Sequence, residues 1–270
     1  MIKYDFDKII DRSNNYSSKW DELGKVFGRQ DLLPMWVADM DFLSPPAVID
    51  AIVERAKQGI YGYTSRPASY FESVAKWMKK RHNWETQTDW MLFSPGVVPA
   101  LSFIVNAFTD PGDKVIVQPP VYYPFFSVIE DNGRRVVNNP LIFKDGRYTM
   151  DFNDLEKKVK DPRVKLLFLC SPHNPVGRVW SKEELEQLGR ICIDNNVLVV
   201  SDEIHQDILY SGIKHTPFAS ISEEFALNSI TCTSPSKTFN LAGLQTSTII
   251  IPNKIYRTIY KNFRVYNFKC

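Results

Sequence analysis

The feature that most constrains how this chain can fold is an alternation that sets in near Val48, where short apolar runs rich in β-branched residues take turns with amphipathic segments. Such a pattern belongs to α/β layers stacked on a mostly parallel sheet. Strands are expected at 91–94, 114–118, 135–137, 165–170, 196–201, 229–233 and 246–251, seven in a single sheet. The clearest helix starts at Ser181, where Ser181 and Glu184 match the S-x-x-E capping box and Leu185, Leu188, Ile191 and Cys192 share one face. It should stop at Asn195-Asn196, just before a strand. Further helices are expected over 46–59, 68–82, 97–108, 123–131 and 253–262, the first entered through Ser44-Pro45-Pro46. The first 45 residues contain Pro34 and paired acidic residues but no clean period, so 1–45 reads as an irregular arm with part of a small domain and 46–270 as the large domain. Asn262 to Cys270 show no helical pattern, and there is no internal repeat or low-complexity tract.

A chain of 270 residues with 44% hydrophobic content can bury one large core. Its 33 basic and 31 acidic residues nearly cancel, and no Lys/Arg run asks for nucleic acid or an anionic membrane. Small-molecule chemistry is the expectation. Cys170, Cys192, Cys232 and Cys270 fit neither a metal site nor a disulfide framework, and three of them lie in apolar segments, which suits a reducing cytoplasm. Met1 to Trp20 is charged and polar, and no stretch approaches the roughly 18 apolar residues a membrane span needs.

In open α/β sheets ligands bind beyond the carboxyl ends of the strands, so the residues that follow each strand matter most. After 91–94 comes Pro95-Gly96-Val97-Val98, a turn opening a helix whose free N–H groups suit a phosphate. After 114–118 come Tyr122 and Tyr123, rings on which a flat ligand could stack. After 165–170 comes Ser171-Pro172-His173-Asn174-Pro175-Val176-Gly177-Arg178, a loop stiffened by proline that should hold Asn174 in one orientation. Asp202-Glu203-Ile204-His205 follows 196–201, and Ser234-Pro235-Ser236-Lys237 follows 229–233.

Taken singly, most of these have a plainer reading. Pro95-Gly96 is a common turn, a tyrosine pair usually packs, Asn174 could satisfy loop backbone, His205 could sit on a helix face, and a lone lysine is usually solvated. Asp202 is harder to dismiss, because a carboxylate directly after Val197 to Val200 must be paired or hydrogen-bonded if it is buried. The conjunction at one sheet edge outweighs any member.

In this order, Asn174-Pro175 with Gly177, then Asp202, then Lys237, the chain resembles the fold-type I pyridoxal-phosphate enzymes of the aspartate aminotransferase superfamily. Leu33-Pro34-Met35-Trp36-Val37-Ala38-Asp39-Met40-Asp41-Phe42, Tyr61-Gly62-Tyr63, Ser201-Asp202-Glu203-Ile204-His205 and Ser236-Lys237-Thr238-Phe239-Asn240 resemble its cystathionine β-lyase, or cysteine-S-conjugate β-lyase, branch. His205 stands where general aminotransferases usually carry a tyrosine. The resemblance implies a three-layer α/β/α large domain and pyridoxal 5'-phosphate as cofactor. It implies that Lys237 forms the imine with that cofactor and then moves the Cα proton. Asp202 would keep the ring nitrogen protonated, Asn174 would donate to the phenolate oxygen, and Tyr122 would stack on the ring. Val97 and Val98 N–H groups, with Ser234 and Ser236, would hold the phosphate, and His205 belongs to the same cofactor-binding set. Tyr63 resembles the tyrosine that reaches the phosphate in a neighbouring subunit, which implies a homodimer.

Two departures go with the resemblance. Gln245 stands where many aminotransferases place a phosphate-gripping arginine eight residues after the lysine. Family members also continue into a C-terminal small domain with the arginine for the substrate carboxylate, so a truncated chain is expected here, with only the N-terminal part of the small domain. The reading that results is a cytoplasmic carbon–sulfur β-lyase acting on L-cystathionine or cysteine S-conjugates. An aminotransferase is the rival within enzymes, and a non-catalytic remnant that binds cofactor or regulates is the rival from another class. A nucleotide-binding domain falls behind, because no G-x-G-x-x-G or Walker-type run occurs.

Overall fold

A computed structural model of the chain describes residues 4–267. It divides into two compact units, one of Met1–Gly62 with Pro235–Leu244 and the other of Tyr63–Ser234 with Gln245–Cys270.

The second unit holds the sheet. Its strands are β1 (Met91–Ser94), β2 (Lys114–Val117), β3 (Arg135–Asn138), β6 (Val164–Cys170), β7 (Leu198–Asp202), β8 (Ser229–Thr233) and β9 (Ser247–Ile250), with β4 (Ile142–Lys144) and β5 (Arg147–Thr149) forming a separate hairpin. The sheet order is β1-β9-β8-β7-β6-β2-β3. All neighbours are parallel except the two that flank β9, which runs against β1 and β8. All seven expected sheet strands are present. The hairpin was not anticipated, although Asp145-Gly146, both at positive φ (52° and 73°), is the dipeptide a two-residue turn of this kind demands.

Alternation along the strands splits the core in two. Leu166, Phe168, Cys170, Val200, Ile230 and Cys232 bury against helices 97–108 and 124–130 on one face. Leu167, Leu169, Val197 and Val199 bury with Leu185, Leu188 and Cys192 of the helix Lys182–Asp194 on the other. This is the expected three-layer α/β/α arrangement, and it follows from the two-residue period of a strand that is buried on both sides. The capping box of Ser181 and Glu184 forms as its spacing predicts. Helices over Phe152–Lys158, capped by Asp151, and Glu223–Leu227, capped by Ser222, were not expected.

The last helix corrects the reading of the C-terminal residues: it runs over Lys254–Asn267 rather than ending at 262. Tyr256, Tyr260 and Phe263 recur at helical spacing, with Tyr260 fully buried and the other two packed on the same core cluster. Charged residues between them hid that stripe. Cys270 lies outside the described residues; Cys170, Cys192 and Cys232 are buried free thiols.

In the first unit, the region 1–45 carries two short helices, Ser18–Asp21 and Leu23–Phe27, and the helix Pro46–Lys57 starts with proline at its first position as expected. Among the described residues no helix is long and apolar enough to cross a membrane.

Candidate functional site

Because β1, β8, β7, β6 and β2 all run the same way, their carboxyl ends lie along one edge of the sheet. Asp202 is the last residue of β7, in register with Cys170 at the end of β6 and with Cys232 in β8. It is 4% exposed, and its carboxylate accepts the Ile204 N–H at 3.2 Å. An apolar strand thus ends on a buried acid, the placement its sequence position suggested. Tyr122 lies in the loop after β2, leaning on Phe125 with ring centroids 6.0 Å apart. Burial pushes its phenol pKa up, and the nearby Asp202 charge adds to the rise, so the ring and the carboxylate share one environment.

Asn174 follows β6, and its backbone N–H donates to the Cys170 sulfur at 3.3 Å. The loop around it is a small closed structure: His173 N–H donates to the Arg178 carbonyl at 2.7 Å, Gly177 N–H donates to the His173 carbonyl at 2.8 Å, and Gly177 takes φ +69°, which favours glycine. Asn174, Asp202 and Tyr122 are therefore gathered at one edge. One contributor was missed. His173 is 2% exposed, and its Nε2 lies 3.0 Å from the Pro120 carbonyl, joining the loop that carries Asn174 to the loop that carries Tyr122. Burial pulls its pKa down to about 4, so the ring is neutral near pH 7 and Nε2 carries the proton it donates. In sequence nothing distinguishes it from any loop histidine.

Val97 and Val98 open the helix Val97–Phe108 after β1. Gly96 stands at its N-cap with no side-chain cap, so the first-turn N–H groups are left to another acceptor. A Cβ at Gly96 would lie 3.2 Å from Pro99 Cδ, tighter than ordinary contact. Ser234 follows β8 and donates its hydroxyl to the Thr246 carbonyl at 2.7 Å, which leaves its oxygen as an acceptor in this geometry. His205 lies in the turn after β7, where its carbonyl accepts the Ile208 N–H at 3.0 Å, rather than on a helix face. Tyr63, at the start of the same unit, is fully exposed.

Ser236 and Lys237 belong to the other unit, on the short helix Pro235–Thr238. There the Lys237 Nζ donates to the Ala38 carbonyl at 2.8 Å. Asn240, at φ +56°, uses both ends of its amide on the segment that follows Ala38: Oδ1 accepts from Met40 N–H (3.1 Å), and Nδ2 donates to the carbonyls of Met40 (2.9 Å) and Phe42 (3.0 Å). The segment Leu33 to Phe42 thus supports the lysine segment, a role its sequence did not disclose.

Comparison with known proteins adds family to geometry. The chain is 55% identical over 252 residues to cystathionine beta-lyase PatB of Bacillus subtilis (strain 168), a match covering 93% of this chain and 65% of that protein. The chain therefore spans about two thirds of the length of this curated relative. Cystalysin from Treponema denticola, a structure containing a pyridoxal 5'-phosphate cofactor, superimposes with a TM-score of 0.94 at 44% identity, covering 98% of this chain and 68% of that one. The PLP-bound C-S lyase from Staphylococcus hominis superimposes with a TM-score of 0.91 at 40% identity, covering 99% and 67%. The model of the family described as aminotransferase class I and II matches residues 30–269, and the chain belongs to that family.

Proposed function

We propose that this chain forms the cofactor-binding part of a pyridoxal-phosphate-dependent carbon–sulfur β-lyase, which cleaves L-cystathionine or a cysteine S-conjugate with one water to a thiol, pyruvate and ammonia. The observation that carries this reading is the 55% identity over 252 residues to a protein named cystathionine beta-lyase.

The donor set fits the cofactor. A buried carboxylate at a strand end, 4% exposed and beside the Tyr122 ring, suits a protonated pyridine nitrogen. The uncapped first turn at Val97 and Val98 suits a phosphate. When bound, pyridoxal phosphate supplies an electron sink for the charge left at Cα on deprotonation.

The chain's own residues do the rest. Lys237 would hold the cofactor through its amine and, once the substrate amine is bound, would take the proton from the substrate Cα, with the thiolate as the group that leaves from Cβ. Asp202 would hold a proton on the ring nitrogen, and Tyr122 would stack on the ring. The Asn174 amide donates to the phenolate oxygen, and His205 belongs to the same shell. Val97 and Val98 N–H groups hold the phosphate with Ser236, while Ser234 must turn its hydroxyl from the Thr246 carbonyl to contribute. Tyr63, which is fully exposed, would reach the phosphate of a neighbouring subunit, and the working form would then be a homodimer. Three buried free thiols suit a reducing cytoplasm.

Purified protein supplied with pyridoxal phosphate is expected to show a visible band near about 420 nm that Lys237→Ala abolishes. An unchanged spectrum in that variant removes Lys237 from its role. Incubation with L-cystathionine and no keto acid is expected to release pyruvate and thiol in equal amounts; a reaction that stalls after one equivalent would mark an aminotransferase instead.

A further inference from the structure

We propose that the Ala38 carbonyl is the docking point for the Lys237 amine whenever that amine is not bonded to a cofactor, and that Asn240 is the positioning residue that keeps the docking point in place. The inference rests on the reading of Lys237 as the cofactor-bearing lysine, and all the residues it uses lie within the unit of Met1–Gly62 and Pro235–Leu244.

A lysine amine sits on a flexible four-carbon stem and has no preferred direction of its own. A lysine that must be released and recovered in each turnover needs an acceptor at a constant place. The Ala38 carbonyl, 2.8 Å from Nζ, is such an acceptor.

The acceptor is useful only if the segment bearing it does not drift, and that segment is held twice over. Asn240 grips its backbone at Met40 and Phe42, and Ser44 Oγ returns a hydrogen bond to the Phe239 carbonyl at 3.1 Å, tying the two segments together from the other end. Its carboxylates are held separately. Arg12 pairs with both oxygens of Asp39 (2.9 and 3.0 Å) and with Asp41 (2.7 Å), and Lys19 and Trp20 hydrogen-bond Asp41 at 2.7 and 2.9 Å. Lys19 also donates to the carbonyl of Asp39 at 3.1 Å, one residue beyond the docking point.

The plainer account of Asn240 is conformational, since asparagine tolerates the left-handed backbone found there, at φ +56°. Asn240→Gly separates the two, because glycine keeps that backbone and loses the tether. The measurement is the pH dependence of Lys237 acetylation by acetic anhydride in the full chain without added pyridoxal phosphate, read by peptide mass spectrometry with Lys182 as internal reference. A carbonyl acceptor favours the charged amine, so loosening it should move the Lys237 midpoint to lower pH by about half a unit or more in Asn240→Gly. Ser44→Ala should shift it the same way by less, with Lys182 unmoved. Unchanged midpoints in both variants overturn the proposal, and Ser44→Ala alone decides it if the glycine variant does not fold. The visible band of the protein with pyridoxal phosphate should shift its titration in the same variants. If the unsubstituted chain shows no band, the cofactor reading fails while the acetylation result still judges the docking point.

Discussion

Asp202 illustrates how much one side chain can be asked to do. It ends a strand whose five residues are all buried, and its carboxylate accepts the Ile204 N–H. Asp202→Asn preserves shape and an acceptor for that N–H but removes the charge, so cystathionine turnover should fall by about a hundredfold or more while the fold is retained. Steady-state pyruvate release measures it. His173 makes a prediction of the opposite kind, about stability. Its folded pKa is lowered by burial from the ordinary 6.5 to about 4, so between these values the unfolded chain binds a proton that the folded chain refuses. Its contribution is therefore whole above about pH 6.5 and is lost as pH falls toward 4, on the order of 3 kcal/mol across the window. Urea midpoints measured at pH 7 and pH 4.5 should converge in His173→Phe relative to the unsubstituted protein. Asp41 acts lower on the scale: burial opposes its ionisation, but hydrogen bonds from Lys19, Trp20 and Arg12 outweigh that and hold it down to about 2, so its contribution fades only as pH drops below the ordinary carboxylate range toward 2.

At the scale of elements, packing decided what propensity could not. Gly189 lies inside the helix Lys182–Asp194, where a sequence reader would count it as a weakness. It is there because a Cβ would come within 2.0 Å of a ring carbon of Phe225, which is itself 1% exposed. Gly189→Ala should thus destabilise the protein by about 1–3 kcal/mol despite alanine's better helix propensity, because a buried ring must move. Thermal denaturation would show the sign. The C-terminal helix makes the complementary case: Tyr260 is fully buried on the core cluster, and Tyr260→Ala should cost about 3–5 kcal/mol in chemical denaturation. The elements with strong local signals are legible in the sequence, notably the capped helix after Ser181 and the uninterrupted apolar strands. The helix Phe152–Lys158, five of whose seven residues are polar or charged, was not, because its stability comes from the Asp151 cap and from a single buried leucine, Leu155.

For the molecule as a whole, the homodimer can be tested without a structure of one. If Tyr63 serves a neighbouring subunit's phosphate, Tyr63→Ala and Lys237→Ala chains, each impaired alone, should complement when mixed. Random reassortment leaves about a quarter of the sites with neither substitution. Recovery of pyruvate release on mixing measures it, and no recovery would place the Tyr63 and Lys237 of one and the same chain at a single site. The sequence by itself determined the seven-stranded sheet, the layer order and the edge at which Tyr122, Asn174 and Asp202 meet, because burial on both faces writes itself into apolar runs and chain direction then sends their carboxyl ends the same way. Only the tertiary structure decided that His173 bridges two strand-end loops to Pro120, that Gly189 makes room for Phe225, and that Asn240 reaches back some two hundred positions to hold the segment beside Lys237. Those contacts join residues far apart in the chain whose local signals are silent, and a pairing of that kind exists only once the backbone has brought its two ends together.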